Sequence, residues 1–393
     1  MKNNIEQKNI PQGWFETTLE KECDVLKGQG LSKGKLLDDG KNECILYGEL
    51  YTKYGEIVDT IKSHTDSEEG VRSKKEDILI PASTTTIAKD LAIATALNKD
   101  GVFLGGDINI LRKKKNSYDA NFLAYYLTHY KNKELAKLAQ GITIIHLYGK
   151  DFKKLSICIP KKIDEQQKIA EILGVVDEDI AKTQEVIEAT EKLKRGLMQK
   201  LFTRGIGHKK FKKTKFGKIP EGWEVINLSK IFKLSSGKGL SRSKFIPGKF
   251  SVYGGNGISG VHNEYLLEKP TIIIGRVGEY CGSVHITKPY SWITDNALYV
   301  EKYLRDIEQY YLYYLLYFIN LNQYAKVGGQ PSISQDTVGT IQIGLPNKGE
   351  QKEIAEIISA VDEKISINKK LKNKLTLLKK GLAQDLLSGK VRV

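Results

Sequence analysis

The sequence has few cysteines, and they do not form a metal-binding or disulfide pattern. Cys23, Cys44, Cys158 and Cys281 are the only four, they lie far apart, and no CxxC pair occurs. This spacing excludes a zinc knuckle and a dense disulfide framework and fits a reducing compartment. The six histidines likewise lack metal-ligand spacing.

The short motifs of common catalytic sites are missing as well. The chain has no GxxxxGK[ST] phosphate loop, HExxH zinc pair, GxSxG nucleophile elbow or (N/D)PP(Y/F) methyltransferase tetrapeptide. Glu350-Gln351-Lys352 matches the ExK end of a nuclease metal site, but it opens a predicted helix. We therefore expect a non-catalytic protein with no cofactor and no metal of its own.

Long apolar runs are absent, and positive charge is in excess. No stretch approaches the roughly 18 apolar residues of a membrane span, and residues 1–10 lack the apolar core of a signal peptide. We expect a cytoplasmic protein with no membrane partner. Lys and Arg number 62 against 47 Asp and Glu, a formal charge of +15. This excess favours a nucleic-acid partner, although lysine-rich proteins can be basic without binding one.

The chain contains an internal repeat. Ile-Pro-Gln-Gly-Trp at 10–14 returns as Ile-Pro-Glu-Gly-Trp at 219–223, and the same spacing carries Gly-Gln-Gly-Leu-Ser-Lys at 28–33 onto Gly-Lys-Gly-Leu-Ser-Arg at 237–242. A later block, Glu-Gln-Gln-Lys-Ile-Ala-Glu-Ile at 165–172, returns at 350–357 with a shorter spacing. Each half therefore has matching ends and a divergent middle.

The later block in each half predicts a long helix. Asp164 with Gln167, and Asn347 with Glu350, have the spacing of a capping box, and apolar residues then recur at intervals of three and four. Each helix runs about 38 residues, on the order of 57 Å at 1.5 Å per residue. Burial of the two stripes against each other as an antiparallel pair is the simplest arrangement, and separate packing of each helix on its own domain is the alternative.

The divergent middles predict mixed α/β domains of one shared fold. The predicted strands are 77–81, 102–111, 155–160, 271–275, 283–287 and 298–301, and the predicted helices are 123–137 and 309–321. Glycine-rich turns at 253–260 and 274–278 bring backbone amides close to a surface, as a DNA phosphate contact requires. Arg276 in the second turn is a candidate reader of guanine, and an ordinary surface turn is the alternative for both.

Taken together, these blocks resemble the specificity subunits of type I restriction-modification systems over essentially the whole chain. The resemblance implies an α+β protein in which two α/β target recognition domains are separated by two long antiparallel coiled-coil-like helices, with a pseudo-twofold internal repeat. The expected boundaries are 1–160 for the first domain, 161–203 for the first helix, 204–218 for a basic linker, 219–346 for the second domain and 347–393 for the second helix.

The resemblance also implies the partners. They are double-stranded DNA read as a bipartite asymmetric site, two modification subunits that bind S-adenosylmethionine and methylate adenine, and restriction or translocase subunits. The expected DNA-contacting residues are Gly28, Gln29, Ser32, Lys33, Tyr47, Thr143, Lys238, Ser241, Arg242, Tyr253, Asn256, Arg276, Gln330 and Ser332. The expected subunit-contacting residues are Ile169, Ile172, Val176, Ile354, Ile358 and Val361.

Two other functions stay open on the sequence alone. One is a stand-alone DNA nuclease or methyltransferase, which needs a metal or cofactor motif that the sequence lacks. The other is a coiled-coil scaffold that binds DNA without sequence preference, which a competition assay over salt concentration distinguishes from a sequence-specific protein.

Overall fold

The computed structural model describes residues 10–68, 70–326 and 328–393, which form two units. The first unit joins residues up to Thr183 with Lys370–Val393, and the second runs from Gln184 to Lys369. Each unit therefore contains one mixed α/β domain, part of a long helix α7 (Ile163–Arg204) and part of a long helix α10 (Lys348–Leu387).

The first unit is built on two five-stranded sheets. Its strands are β1 Trp14–Thr18, β2 Cys23–Lys27, β3 Leu36–Leu37, β4 Asn42–Ile45, β5 Ile57–Val58, β6 Ser63–Thr65, β7 Val71–Arg72, β8 Asp77–Pro81, β9 Ser83–Thr84, β10 Thr95–Leu97, β11 Phe103–Leu104, β12 Ile108–Lys113, β13 Ile145–His146 and β14 Ser156–Pro160. The sheet orders are β2-β12-β8-β10-β5 and β3-β6-β4-β11-β7. Strand β8 is the middle strand of the first sheet, and its apolar run from Ile78 to Ile80 suits this place because it is fully buried.

Short helices connect these strands. They are α1 Leu19–Glu22, α2 Glu49–Thr52, α3 Ala88–Leu91, α4 Ala120–Tyr125, α5 Asn132–Lys137 and α6 Gly149–Phe152. The helix predicted at 123–137 is interrupted by a π-helical turn, Tyr126–Tyr130, between α4 and α5.

The second unit has a smaller version of the same plan. Its strands are β15 Phe211–Thr214, β16 Gly217–Pro220, β17 Glu224–Asn227, β18 Phe232–Ser236, β19 Phe250–Gly254, β20 Gly257–His262, β21 Ile272–Gly275, β22 Val284–Ile286, β23 Ser291–Ile293, β24 Ala297–Tyr303 and β25 Gln342–Leu345, with helices α8 Gln309–Ile319 and α9 Gln335–Gly339. The main sheets are β18-β24-β21-β22 and β20-β19-β23. The predicted linker 204–218 is partly ordered, because β15 and β16 form a hairpin.

The long helices begin and end for local reasons. Helix α10 starts as predicted, since the Asn347 side chain accepts a hydrogen bond from the Glu350 N–H at 3.0 Å. The capping box predicted at Asp164 is wrong, because α7 already begins at Ile163. Each helix is followed by a glycine in the left-handed region, Gly205 with φ 61° and Gly389 with φ 73°.

Parts of the two helices pack together in antiparallel orientation in each unit, as predicted. In the first unit Lys379 pairs with Asp177 at 2.7 Å. In the second unit Lys194 pairs with Asp362 at 2.6 Å and Lys369 with Glu191 at 2.7 Å. Each helix also buries residues in the domain cores, as the alternative of separate packing predicted. That alternative is wrong in keeping the helices apart, because they also contact each other.

Candidate functional site

The repeated glycine segment occupies the same backbone position in both domains. Gly28 follows β2, and a Cβ there would lie 2.1 Å from the Gly105 carbonyl oxygen. Gly237 follows β18, and a Cβ there would lie 2.2 Å from the Thr294 carbonyl oxygen. Both positions require glycine because a neighbouring loop approaches too closely for any side chain. The repeated motif therefore holds two loops together at one end of each domain.

In the first domain, three of the predicted DNA contacts line one cavity of about 650 Å³. Ser32, Lys33 and Tyr47 are exposed at its walls, and Tyr47 retains 40% of its accessible surface. Gln29 is exposed in the adjoining turn, where its N–H donates to the Leu104 carbonyl at 3.2 Å. The cavity opens on the loops that Gly28 joins.

Thr143 lies in a separate exposed turn that precedes β13. The neighbouring Ile142 is 98% exposed, which is unusual for a large apolar side chain. Strand β13 pairs with β9 through His146 and Ser83. Ser83 in turn donates a hydrogen bond to Asp107, which also lines the cavity, so the turn and the cavity belong to one end of the domain.

In the second domain, the structure brings the turn at 274–278 against the segment at 330–333. Arg276 is exposed, and its carbonyl accepts from the Ile333 N–H at 2.9 Å. Gly278 donates its N–H to the Pro331 carbonyl at 2.9 Å, and Val277 forms a β-bridge with Ser332. Gln330 Nε2 lies 3.4 Å from where a Cβ of Gly278 would be.

The same end of this domain also carries the turns near Lys238 and Asn256. The Arg276 guanidinium lies 3.5 Å from the Ser236 hydroxyl, directly before the repeated glycine segment. Lys238 is exposed, and its ammonium lies 5.8 Å from the ring centre of Trp292. Gly255, beside the exposed Asn256, approaches Gly275 closely enough that an added Cβ would lie 3.5 Å from the Gly275 Cα.

Of three other predicted DNA-contacting residues, one is buried and two are exposed. Tyr253 is only 4% exposed, and its hydroxyl oxygen accepts from the Lys288 N–H at 3.0 Å, so its side chain belongs to the domain core. Ser241 and Arg242 are exposed at a short 3-10 turn, Arg242–Lys244. Their contact with DNA stays a prediction.

The helix-opening block has a role that sequence reasoning missed. Glu350 is buried and accepts hydrogen bonds from Trp223 Nε1 at 3.0 Å, His208 Nε2 at 2.9 Å and the Ile206 N–H at 2.9 Å. Its counterpart Glu165 accepts from Trp14 Nε1 at 3.4 Å. The repeated tryptophan and the repeated glutamate therefore meet, and each pair ties a domain to the start of its long helix.

A basic side chain from beyond the end of the other long helix completes each of these contacts. Arg392, beyond α10, binds Glu165 with 2.7 Å between Nη2 and Oε2. His208, beyond α7, occupies the corresponding place on Glu350. No local sequence pattern reveals these pairs, because their members are far apart in the chain.

The residues predicted to contact other subunits are mostly buried within this chain. Ile169 lies in the first core and Ile354 and Ile358 in the second, each with 0% exposure. Val176 is 8% exposed, and Ile172 and Val361 are partly buried. The apolar side chains that α7 and α10 expose are Val175, Val186, Leu193, Ile367, Leu371, Leu377 and Leu378.

A partly buried charge cluster links Glu56, His129 and Lys379 in the first unit. Glu56 contacts His129 Nε2 at 2.5 Å and Lys379 Nζ at 2.9 Å. Burial opposes ionisation of Glu56, but the hydrogen bond from His129 and the charge of Lys379 outweigh it and hold its pKa at about 2.

In residues 10–68, 70–326 and 328–393 no cluster of His, Cys, Asp or Glu is arranged to hold a metal ion. No helix in the described chain is long and apolar enough to cross a membrane.

Comparison with known proteins decides the family. The sequence model of the type I restriction modification DNA specificity domain matches residues 11–191 and again residues 220–377. This chain belongs to that family. It is a DNA specificity subunit of a type I restriction-modification system and a non-catalytic component of that assembly. The two matches correspond to the two halves of the repeat.

Relatives of this specificity subunit cover most or all of its length. It is 28% identical to the putative type I restriction enzyme MjaX specificity subunit of Methanocaldococcus jannaschii, over 100% of this chain and 89% of that protein. It is 29% identical to the MjaVIII specificity subunit of the same organism over 76% of each. The crystal structure of the type I S subunit from M. genitalium shares the fold, with a TM-score of 0.67, 22% identity and 98% coverage of both chains.

Proposed function

We propose that this specificity subunit reads a bipartite, asymmetric site in double-stranded DNA, with one half-site for each domain. The observation that carries this proposal is that both domains hold the same glycine turn, Gly28 and Gly237, against an equivalent loop. The side chains around the two turns differ, because Tyr47 and Lys33 line the first and Arg276 and Lys238 flank the second. A shared frame with different side chains suits two different half-sites.

The charge of the chain supports a phosphate contact in both domains. Its formal charge of +15 suits a polyanion, and lysines near both glycine turns are exposed, which supports a contact with the DNA backbone in each domain. In this proposal Lys33 and Lys238 position the DNA, whereas Arg276 reads a base edge.

The proposal extends to the other subunits. Two modification subunits that bind S-adenosylmethionine dock on the long helices, and restriction or translocase subunits join the assembly in the cytoplasm. The exposed apolar residues of α7 and α10 are the docking candidates, since their surface is not used within the described chain.

A domain exchange tests the proposed function. Residues 219–346 are replaced by the corresponding domain of a relative with a known site, and the assembled complex is mapped by its methylated adenines. One half-site should change and the other should stay the same. A chain in which the original domain is reinserted through the same junctions is the control. A change in both half-sites would contradict separate reading by the two domains.

A further inference from the structure

Asp107 has an unusual position at the cavity end of the first domain. It directly precedes β12 and has φ 58°, in the left-handed region that few residues other than glycine adopt. Its side chain keeps 42% of its accessible surface. Ser83 Oγ donates to Oδ2 at 3.1 Å, and Lys27 Nζ lies 3.7 Å from Oδ1. These contacts fix the carboxylate at the surface without covering it.

The carboxylate lies between two cavities. The only other acidic residue among the described residues that line the two cavities is Glu49, which is buried and paired with Lys53 at 2.6 Å. Besides the cavity of about 650 Å³, Asp107 lines a second one of about 450 Å³. The second cavity carries Lys27, Lys150 and Lys153, and His146 stacks on Tyr148 at 5.5 Å there. Such walls suit a phosphate backbone and a sugar or base face. The negative charge of Asp107 beside these walls weakens the binding of DNA phosphates, unless the carboxylate accepts a hydrogen bond from a donor on the DNA.

The second domain has a polar residue at the equivalent position. In the first domain the Gly28 N–H donates to the Ile108 carbonyl at 2.9 Å, and in the second the Gly237 N–H donates to the Ala297 carbonyl at 3.1 Å. The residue before each acceptor is Asp107 or Asn296. Asn296 is exposed, and its carbonyl accepts from the Arg276 N–H at 2.9 Å. This turn therefore adjoins the candidate DNA contacts in both domains.

We propose that Asp107 is a specificity-determining residue that accepts a hydrogen bond from the exocyclic amino group of a base in the first half-site. The proposal rests on the proposed function of the domains. In the major groove the only base donors are cytosine N4 and adenine N6, and aspartate pairs most often with cytosine N4. Lys27 offsets part of the negative charge, and Ser83 leaves the acceptor positions on Oδ1 open to the base.

Two variants remove the carboxylate and keep the backbone. Asp107→Gly and Asp107→Asn both suit the left-handed conformation, so neither imposes strain on the turn. Asp59→Asn, at an exposed site of the same domain, is the control with the same change of charge. Each chain is assembled with its modification subunits. Its methylation motif is mapped, and its binding to DNA with one base pair changed at a time is measured by competition.

We expect Asp107→Gly to lose preference at one base pair of the first half-site by about 10- to 100-fold. Asp107→Asn keeps a carbonyl acceptor and gains an amide donor, so we expect a smaller loss or a shift of preference toward adenine. The second half-site stays the same, and binding to unrelated DNA stays equal or becomes stronger because a negative charge is lost. The identity of the base pair at which preference is lost shows whether the contacted base is cytosine or adenine. Asp59→Asn should change neither half-site.

Two results would overturn the proposal. Unchanged preference at every position in both variants would show that Asp107 does not read a base, and a uniform rise in affinity beside it would show that Asp107 only repels phosphate. Loss of preference in both half-sites would show that the variants disturb the assembly. In either case the wild-type complex still reads its two half-sites, whereas failure of the proposed function would remove that preference from the wild type itself.

Discussion

Two buried carboxylates, Glu350 and Glu165, each connect a domain to the start of its long helix. Glu350 receives hydrogen bonds from three donors on segments that lie before it in sequence, and Glu165 has a similar role in the first unit. A buried carboxylate costs free energy unless such donors surround it. The repeated Glu and Trp are therefore explained by one contact, which fixes where each long helix leaves its domain.

Replacing Glu350 should destabilise the second unit. Glu350→Ala leaves the Trp223 indole N–H and the Ile206 N–H without their acceptor, and we expect a loss of about 1–3 kcal/mol in the free energy of unfolding. Urea denaturation measures it, with Glu353→Ala on the exposed face of the same helix as the control. Equal loss in both variants would contradict the role of Glu350.

Glu56 predicts a specific dependence of stability on pH. Its folded-state pKa of about 2 lies below the ordinary value of 4.5, so its ionised form stabilises the fold above that value. This stabilisation is lost as pH falls from about 4.5 to about 2. Glu56→Gln should therefore differ most from the wild type at pH 5–6, roughly the top of that window, and least near pH 2. Parallel stability curves across this range would contradict the prediction.

Arg276 tests direct reading in the second half-site. If its guanidinium contacts a guanine edge, Arg276→Ala should weaken specific binding by about 1–3 kcal/mol and relax one base position. If it contacts only phosphate, affinity should fall equally for all sequences and the salt dependence should decrease. Competition binding at several salt concentrations separates the two results, and unchanged affinity would remove Arg276 from the site.

At the scale of elements, sequence reasoning succeeded where the signal is local. The apolar stripes of α7 and α10 and the buried strand β8 were predictable because periodicity and apolar runs are read from adjacent residues. The pairing of Glu350 with Trp223 was not, because it joins segments far apart in the chain. Asp107 was missed for a different reason, since no motif surrounds it and only the fold places it beside the cavity.

The exposed apolar residues of α10 predict where another subunit binds. Leu377 is 69% exposed, and a modification subunit that covers it would exclude a charge there. Leu377→Glu should weaken co-purification with the modification subunits at least tenfold and leave the thermal midpoint within a degree or two of wild type. Thr376→Glu, about 100° around the helix, is the control. Equal binding by both variants would move the docking surface elsewhere.

At the scale of the whole molecule, both long helices continue across the boundary between units. The boundary falls at Thr183 in α7 and at Lys369 in α10. Four helix-favouring residues inserted at both points add about 6 Å to each helix and leave the ion pairs inside each unit intact. The preferred gap between half-sites should then grow by one or two base pairs, with both half-sites unchanged. The methylation motif is the measurement, and an unchanged gap would show that the helices do not set it.

The division of the chain has a consequence for biosynthesis. The second unit is one continuous segment, Gln184–Lys369, whereas the core of the first also contains Ala383, Leu386 and Leu387. Domains usually fold in the order in which they emerge from the ribosome, so the N-terminal domain would fold first. Here the second unit is synthesised completely before the first unit, because the first needs residues from the end of α10. The first unit must then wait, incompletely closed, until the last turns of α10 leave the ribosome. We expect newly made chains to be most exposed to proteases and chaperones in this interval.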